Sequence, residues 1–403
     1  MNEAPGPPVT FTVDARWERG TGWTGPTAVV ATPDGFRSRR GTDPAPTRHL
    51  AGALLPGFRD AHVHLCLVDA AALFRGGLAA VDDLGGDPAV VSALAARSAR
   101  GARPARSARS ARSGGSGTAP LPEVRFAGAF LTAPGGYPSD RSWAPAGAVE
   151  EVGGPAQAAA AVDRQVAAGA SFVKVALHTG AGPVPDDATL RALVGRAHDR
   201  GRPVVAHTEG AGQAARAFAA GVDRLAHSPF DEHLPQALVA AMAERQTWVS
   251  TLDLHGWGTP TDQHAVALDN LTRFVAAGGT VVYGTDQGNG PLPCGVDERE
   301  LAALLAAGLA ADGLLHALTS APTPVACTFL PGPRPAPGAP PEEVAAWLAR
   351  ATVLRPRDLL GPEPPARGGP MVDPPTADAA SRAVATHDLP STPLDDPTRE
   401  PHP

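Results

Sequence analysis

The stretch PGFRDAHVHL puts His62 and His64 two residues apart. On an extended strand side chains alternate faces, so both imidazoles project to one side and can reach a single metal ion. Alone, such a triplet is weak in a chain with 13 histidines. Three further ligand-type residues follow: His207 in VVAHTEG, His227 in DRLAHSP and Asp286 in VVYGTDQG. Taken singly, His207 or His227 reads equally as a hydrogen-bonded structural histidine, and Asp286 as the cap of a turn or helix. The sixth residue is Lys174 in SFVKVALHTG, the one lysine among 34 basic residues. A chain this rich in Ala, Gly, Pro and Arg loses surface lysines easily. An ammonium inside the apolar run of Phe172, Val173, Val175, Ala176 and Leu177 is another matter, because its burial is costly unless it is paired or neutral. Lys174 therefore either snorkels to water or carries an amine whose chemistry a guanidinium cannot supply.

The elements that must position these residues follow from the pattern around them. Short apolar runs alternate with helical segments, the signature of an α/β fold. Strands are expected over 54–65, 79–84, 124–131, 172–177, 203–207, 224–227, 248–252 and 280–283, and helices over 187–200, 212–220, 234–244, 263–277 and 298–309. Eight strands with intervening helices over roughly 265 residues match the size of a (β/α)8 TIM barrel. In that architecture all strand C-termini open onto one face, so the six residues would converge on one pocket. Their placement at equivalent points of successive strands argues for a shared site rather than six separate structural roles. The expected organisation is a barrel over 55–320 with a small β-rich satellite domain. That domain would be built from 1–54 and the post-barrel segment 321–360.

Two stretches read as lying outside the folded part. In 97–118 arginine recurs at every third position from Arg97 to Arg112 among Ser, Gly, Ala and Pro, a period of neither helix nor strand, so a flexible basic insertion is expected. The Pro-rich tail 361–403 reads as disordered for the same compositional reason. The net charge of −7 argues against nucleic acid as the main partner, and a 43% hydrophobic fraction supports a substantial core. The N-terminus has no signal-type pattern and no apolar run reaches membrane-spanning length, so a cytoplasmic protein with no membrane partner is expected. Cys66, Cys294 and Cys327 are odd in number and widely spaced, which argues against a disulfide framework.

The ordered set of PGFRDAHVHL, a lysine on the fourth strand, two later histidines and GTD resembles the amidohydrolase superfamily, specifically its imidazolonepropionase-like and prolidase-like members. The resemblance covers about two thirds of the chain, 54–319. It implies that His62 and His64 bind one zinc-type ion and that His207 and His227 bind a second, giving two Zn per chain. It also implies that Lys174 is carbamylated by carbon dioxide and bridges both ions, and that Asp286 is ligand and proton shuttle. That answers why one primary amine is kept: a neutral amine can add carbon dioxide, whereas a permanently charged guanidinium cannot. The reaction implied is hydrolysis of an amide, cyclic amide, dipeptide or ester bond of a small-molecule substrate, with Asp286 passing a proton to the leaving group.

Substrate contacts are expected from Tyr137 and Arg141 in TAPGGYPSDRSW, from His178 on the same strand face as Lys174, and from His255 in LDLHGWG. Surface-loop or turn roles for these four are comparably supported. His198, His233, His264 and His316 lie in or beside expected helices and read as non-functional, and Cys294 as structural. One departure from the superfamily pattern stands out. Where relatives return to the small domain through a G-x-I-x-x-G-x-x-A-D-like stretch, this chain reads FLPGPRPAPGAPPEEVAAWLARATVLRPRDLL, so an incomplete or rebuilt small domain is expected, with a homo-oligomer left open. Two further readings compete: a mononuclear deaminase or imidazolonepropionase-type hydrolase in which Lys174 only hydrogen-bonds, and a catalytically silent barrel serving as a binding scaffold.

Overall fold

The alternation of the N-terminal sequence, with Phe11 and Val13 buried on one face and Thr12 and Asp14 on the other, makes a strand of Val9–Glu18. It is the centre of a mixed sheet in the computed structural model, which describes residues 8–102, 119–321, 323 and 325–360. Across that sheet the order is Thr352–Leu354, Cys327–Pro331, Arg48–Pro56, Val9–Glu18, Thr27–Thr32 and Gly35–Ser38, with Gly22–Thr24 added on Val9–Glu18. Only the pairing of Val9–Glu18 with Arg48–Pro56 is parallel. Phe11, Val13, Val29, Ala31, Leu54 and Leu359 form its core. The two late strands thus rejoin the N-terminal sheet, Leu54 opposite Phe329, although the expected signature is missing from their sequence. An antiparallel pair needs only β-compatible residues and backbone partners, which CTFLP and TVL supply.

The remaining strands form two parallel sheets. One has three strands, Arg59–Val63, Ala80–Asp83 and Glu123–Phe126. The other has seven, in the order Val149–Glu151, Phe130–Thr132, Val173–His178, Val204–Glu209, Arg224–Leu225, Thr247–Val249 and Thr280–Val282. Backbone hydrogen bonds run between the sheets on both sides. Ala61 N–H donates to Tyr283 C=O at 2.9 Å and Asp286 N–H to His62 C=O at 2.8 Å, while Ser171 N–H donates to Phe126 C=O at 2.7 Å. Amphipathic helices cover the outer faces; Asp187–Asp199, for example, buries Leu190, Leu193 and Val194 in the hydrophobic cluster that also holds Val173, Val175 and Leu177. Lys174 alternates with those valines and so points to the opposite face. Two of the helix starts are fixed by side-chain caps: Asp186 accepts from Thr189 N–H at 2.7 Å at the start of Asp187–Asp199, and Thr261 from His264 N–H at 3.0 Å at the start of Asp262–Ala276.

Three expectations need correction. The run 54–65 is two strands in different sheets, parted at Gly57, where a side chain would collide with Thr323 and Ala79. The run 124–131 is likewise split into Glu123–Phe126 and Phe130–Thr132 at Gly128, whose φ of 79° and contact with Gln165 suit only glycine. The helix Pro88–Ala102 runs into the proposed insertion, because Ala and Arg continue its helical preference as far as Ala102. The rest of that insertion, 103–118, and the tail 361–403 lie outside the described residues. Among the described residues no helix is long and apolar enough to cross a membrane.

Candidate active site

His62 and His64 lie at and just beyond the end of Arg59–Val63, and both are buried. Asp60 organises this edge: it accepts from His62 N–H at 2.9 Å and from the Thr285 hydroxyl at 2.5 Å, tying the first strand to the segment that carries Asp286. The rings are oriented from behind. His62 Nδ1 lies 2.9 Å from Ala226 C=O and His64 Nδ1 3.1 Å from Gly85 C=O. A carbonyl can only accept, so each Nδ1 carries a proton, and in the neutral ring each Nε2 presents a lone pair. Those two Nε2 atoms are 3.3 Å apart, and lie 3.1 Å and 3.0 Å from Asp286 Oδ1.

Three lone-pair atoms facing one another inside a protein repel unless a cation or proton sits among them. Asp286 Oδ1 is buried with no hydrogen-bond donor, while its Oδ2 accepts from Asn289 Nδ2 at 2.9 Å. Burial opposes ionisation of this carboxyl, but the two histidines beside it hold its pKa well below the usual carboxylate range. Burial keeps His62 well below the ordinary imidazole value. For His64 burial acts in the same direction, but the Asp286 carboxylate outweighs it and raises the pKa. The backbone at Asp286 has φ 60°, a left-handed conformation unusual for a non-glycine residue, and Thr251, which meets His227 Nδ1 at 3.0 Å, has φ 43°. Such strain persists only where surrounding structure over-determines it, and it concentrates at functional sites.

Lys174 is 1% exposed, and burial pushes its amine down from 10.5 to about 7, against the pull of Asp286 and Asp83. Its Nζ lies 5.7 Å from the centroid of the Phe130 ring, and that ring stacks on His64 at 5.6 Å. Near neutral pH a large share of Lys174 is therefore the free amine. His227 joins the group through ring contacts, 4.8 Å from His62 and 5.0 Å from His207. Among the described residues, the one set of histidine, cysteine and acidic ligand atoms that converges is His62, His64 and Asp286. His207 and His227 adjoin it without joining it. His207 instead turns Nε2 towards Glu209 Oε2 at 3.3 Å, and His178 approaches the same oxygen at 3.4 Å.

The four residues expected to touch substrate cluster beside this group. Tyr137 stacks on His207 at 5.3 Å and meets His178 at 5.1 Å, with the Arg141 guanidinium 5.7 Å above its ring. Burial, reinforced by Asp286 and Glu209, raises the Tyr137 phenol above its ordinary value, so its hydroxyl stays a donor. His255 packs on Phe230 at 4.2 Å, and Phe230 in turn on His227 at 6.2 Å. Burial pushes His255 down to about 4, so the ring is neutral, and its Nε2 is buried without a partner.

Three neighbours escaped the sequence reading. Trp143 bridges Tyr137 and His64, at 6.2 Å and 6.3 Å, from an irregular loop that offers no periodicity to read. Glu209 was legible in principle, since it follows His207 by two residues on one strand and so shares its face. Asp83, two residues before the Gly85 carbonyl that orients His64, accepts from Leu65 N–H at 2.7 Å and from Gly85 N–H at 3.1 Å.

The architecture is one shared with solved hydrolases. A Xaa-Pro dipeptidase with methionine bound in its active site superposes with a TM-score of 0.66 at 16% identity, over 87% of this chain and 98% of that one. The ochratoxinase of A. niger matches at a TM-score of 0.66 and 16% identity, covering 88% and 95% of the two chains. Molinate hydrolase matches at 0.63 and 16%, covering 93% and 99%. No protein-family model matches the sequence. No curated protein matches it either.

Proposed function

We propose that this chain is a metal-dependent amidohydrolase that cleaves a C–N bond, an amide, cyclic amide or dipeptide, in a small molecule. The observation that carries the reading is the convergence of His62 Nε2, His64 Nε2 and Asp286 Oδ1, three lone-pair atoms within 3.3 Å of each other, one of them an orphaned buried oxygen. Two imidazoles oriented by backbone carbonyls, together with a carboxylate, are a donor set suited to zinc. The two parallel sheets and the hydrogen bonds that join them support one closed (β/α)8 barrel, whose strand C-termini carry the site. The mixed sheet would be the satellite domain, and the fold shared with the dipeptidase, ochratoxinase and molinate hydrolase favours the same class of reaction.

His62, His64 and Asp286 would hold one ion, His207 and His227 a second, and Lys174 would lie between them. A bound divalent metal supplies Lewis acidity and brings water ionisation near neutral pH. The free amine of Lys174 can add carbon dioxide, forming an N–C bond and releasing one proton, which converts a neutral group into an anionic one suited to the site. Asp286, held ionised, accepts a proton and delivers it to the leaving nitrogen. Tyr137 donates a hydrogen bond to the substrate, and Arg141 and His255 line the approach. Glu209 fixes His207 and His178 between them.

A single-ion variant of the mechanism is favoured by one observation, the turn of His207 towards Glu209 rather than towards Asp286. The test is a panel of Xaa-Pro dipeptides, N-acyl amino acids and lactams assayed with zinc and bicarbonate, before and after treatment with chelator. Turnover that chelator abolishes and zinc restores is expected. Turnover indifferent to chelator, or equal in Asp286→Asn, would overturn the proposal.

A further inference from the structure

A second concave site lies far along the strands from Asp286, at their opposite ends. Arg224, Thr247 and Thr280 are the first residues of three neighbouring parallel strands, and they help line a cavity of about 480 Å³. In a parallel sheet of this kind those N-terminal ends face away from the C-terminal ends that carry His207 and His227. The cavity is also walled by Arg19, Arg125 and His316 and by the aliphatic side chains of Val281 and Leu309.

Its charge is unbalanced. Buried Asp82 already accepts from Arg59 at 2.8 Å and from both Nε and Nη2 of Arg125, at 2.8 Å and 2.6 Å. Arg59 also pairs with Glu123 at 2.7 Å. Arg224 is left with one long contact to Asp82, 3.5 Å, and a stacking position 5.2 Å above Phe172, where Arg125 also stacks. Three guanidiniums thus face two carboxylates. The Arg224 side chain is 18% exposed and lines the cavity. Burial lowers its pKa, the mark of a cation short of partners. Arg19 adds a further positive charge, its described hydrogen bond being a 3.4 Å contact to the His316 carbonyl. The helix Ala311–Leu318 begins at the cavity wall through Ala310 and Gly313, and no side chain caps its N-terminus. Asp312 of the same turn is exposed and outside the wall.

We propose that this cavity binds a small organic anion, a phosphate monoester or carboxylate on a short apolar body, with Arg224, Arg19 and Arg125 on the headgroup and Val281 and Leu309 against the body. The volume fits a ligand of metabolite size, and the pairing of a cationic end with aliphatic walls selects an amphiphilic anion over a bare polyanion. The inference stands apart from the proposed hydrolysis, since it uses none of the residues assigned to it.

The test is calorimetric titration of the full chain with butyl phosphate and, separately, butyrate. Ser320 lines the cavity, so Ser320→Asp introduces a carboxylate that competes for the guanidiniums without removing any of them from Asp82. Arg19→Ala removes one cation that has no part in the Asp82 cluster. Asp286→Asn controls for binding at the other site. Saturable binding of either probe is expected in the wild type and in Asp286→Asn, weakened about tenfold or more in Ser320→Asp and several-fold in Arg19→Ala. Whichever probe binds more tightly identifies the headgroup. No saturable binding of either probe, or affinity unchanged in Ser320→Asp, would overturn the proposal.

Discussion

Replacing Lys174 with Met tests the electrostatics of the site before any chemistry is measured. Methionine keeps the length and apolar stem of lysine and deletes only the amine. Burial pulls the Lys174 pKa from 10.5 to about 7. Each unit corresponds to ~1.4 kcal/mol, so a fully protonated Lys174 would cost the metal-free fold on the order of 5 kcal/mol. Local relaxation and water entry reduce such penalties, which leaves roughly 2 to 5 kcal/mol as the expected gain from Lys174→Met below pH 7. Between pH 7 and 10.5 the unfolded chain binds this proton and the folded chain does not, so wild-type stability should rise with pH relative to the variant. The advantage of Met therefore shrinks as pH increases and disappears towards 10.5. The assay is urea unfolding followed by circular dichroism, on metal-stripped protein in buffer free of carbon dioxide, at pH 6, 7, 8 and 9. Bicarbonate added to the zinc-loaded protein should then stabilise the wild type further and leave the variant unchanged. Parallel stability profiles for the two proteins across that pH range would refute the claim that Lys174 is a buried, largely neutral amine.

Further outcomes follow from other parts of the structure. Asp82→Asn leaves Arg59, Arg125 and Arg224 around a neutral amide, so it should destabilise by about 3 to 5 kcal/mol, measured by urea unfolding, while the protein that remains folded keeps its turnover. Tyr137→Phe removes a donor that stays protonated through the neutral range, and should lower kcat/KM by about 10- to 100-fold with no new limb in the pH profile. Trp143→Ala should raise KM more than it lowers kcat, because the ring lies beside His64 and supplies none of the converging ligand atoms. Asp286→Asn should abolish turnover at every pH, and restoration at high pH would contradict its role as proton carrier.

Much of the site was legible because strand geometry is periodic. Two histidines two apart must share a face, and a lysine flanked by Val173 and Val175 must point away from the core those residues fill. The ends of successive parallel strands likewise bring distant residues to one region of space. Legibility failed where position depends on tertiary contact. Nothing local announces that the chain changes sheets at Gly57; the reason is the closeness of Thr323 and Ala79, far along the sequence. Trp143 reaches His64 from a loop shaped by its own turns, so no repeat pointed to it. The returning strands at Cys327–Pro331 and Thr352–Leu354 were obscured because sheet pairing needs backbone groups more than any particular sequence. His207 shows the limit of reading by placement, since it sits where expected yet turns to Glu209, a partner visible only once both side chains are oriented.

The most direct test of the central claim is metal content by elemental analysis. Wild type, Lys174→Arg and Asp286→Asn would be purified in parallel from medium supplied with zinc and bicarbonate. The account predicts about two ions per wild-type chain, with clear loss in both variants, since arginine cannot carry a carbamate and asparagine removes the anionic ligand. Wild-type protein that retains no metal would contradict it, as would content unchanged by either substitution.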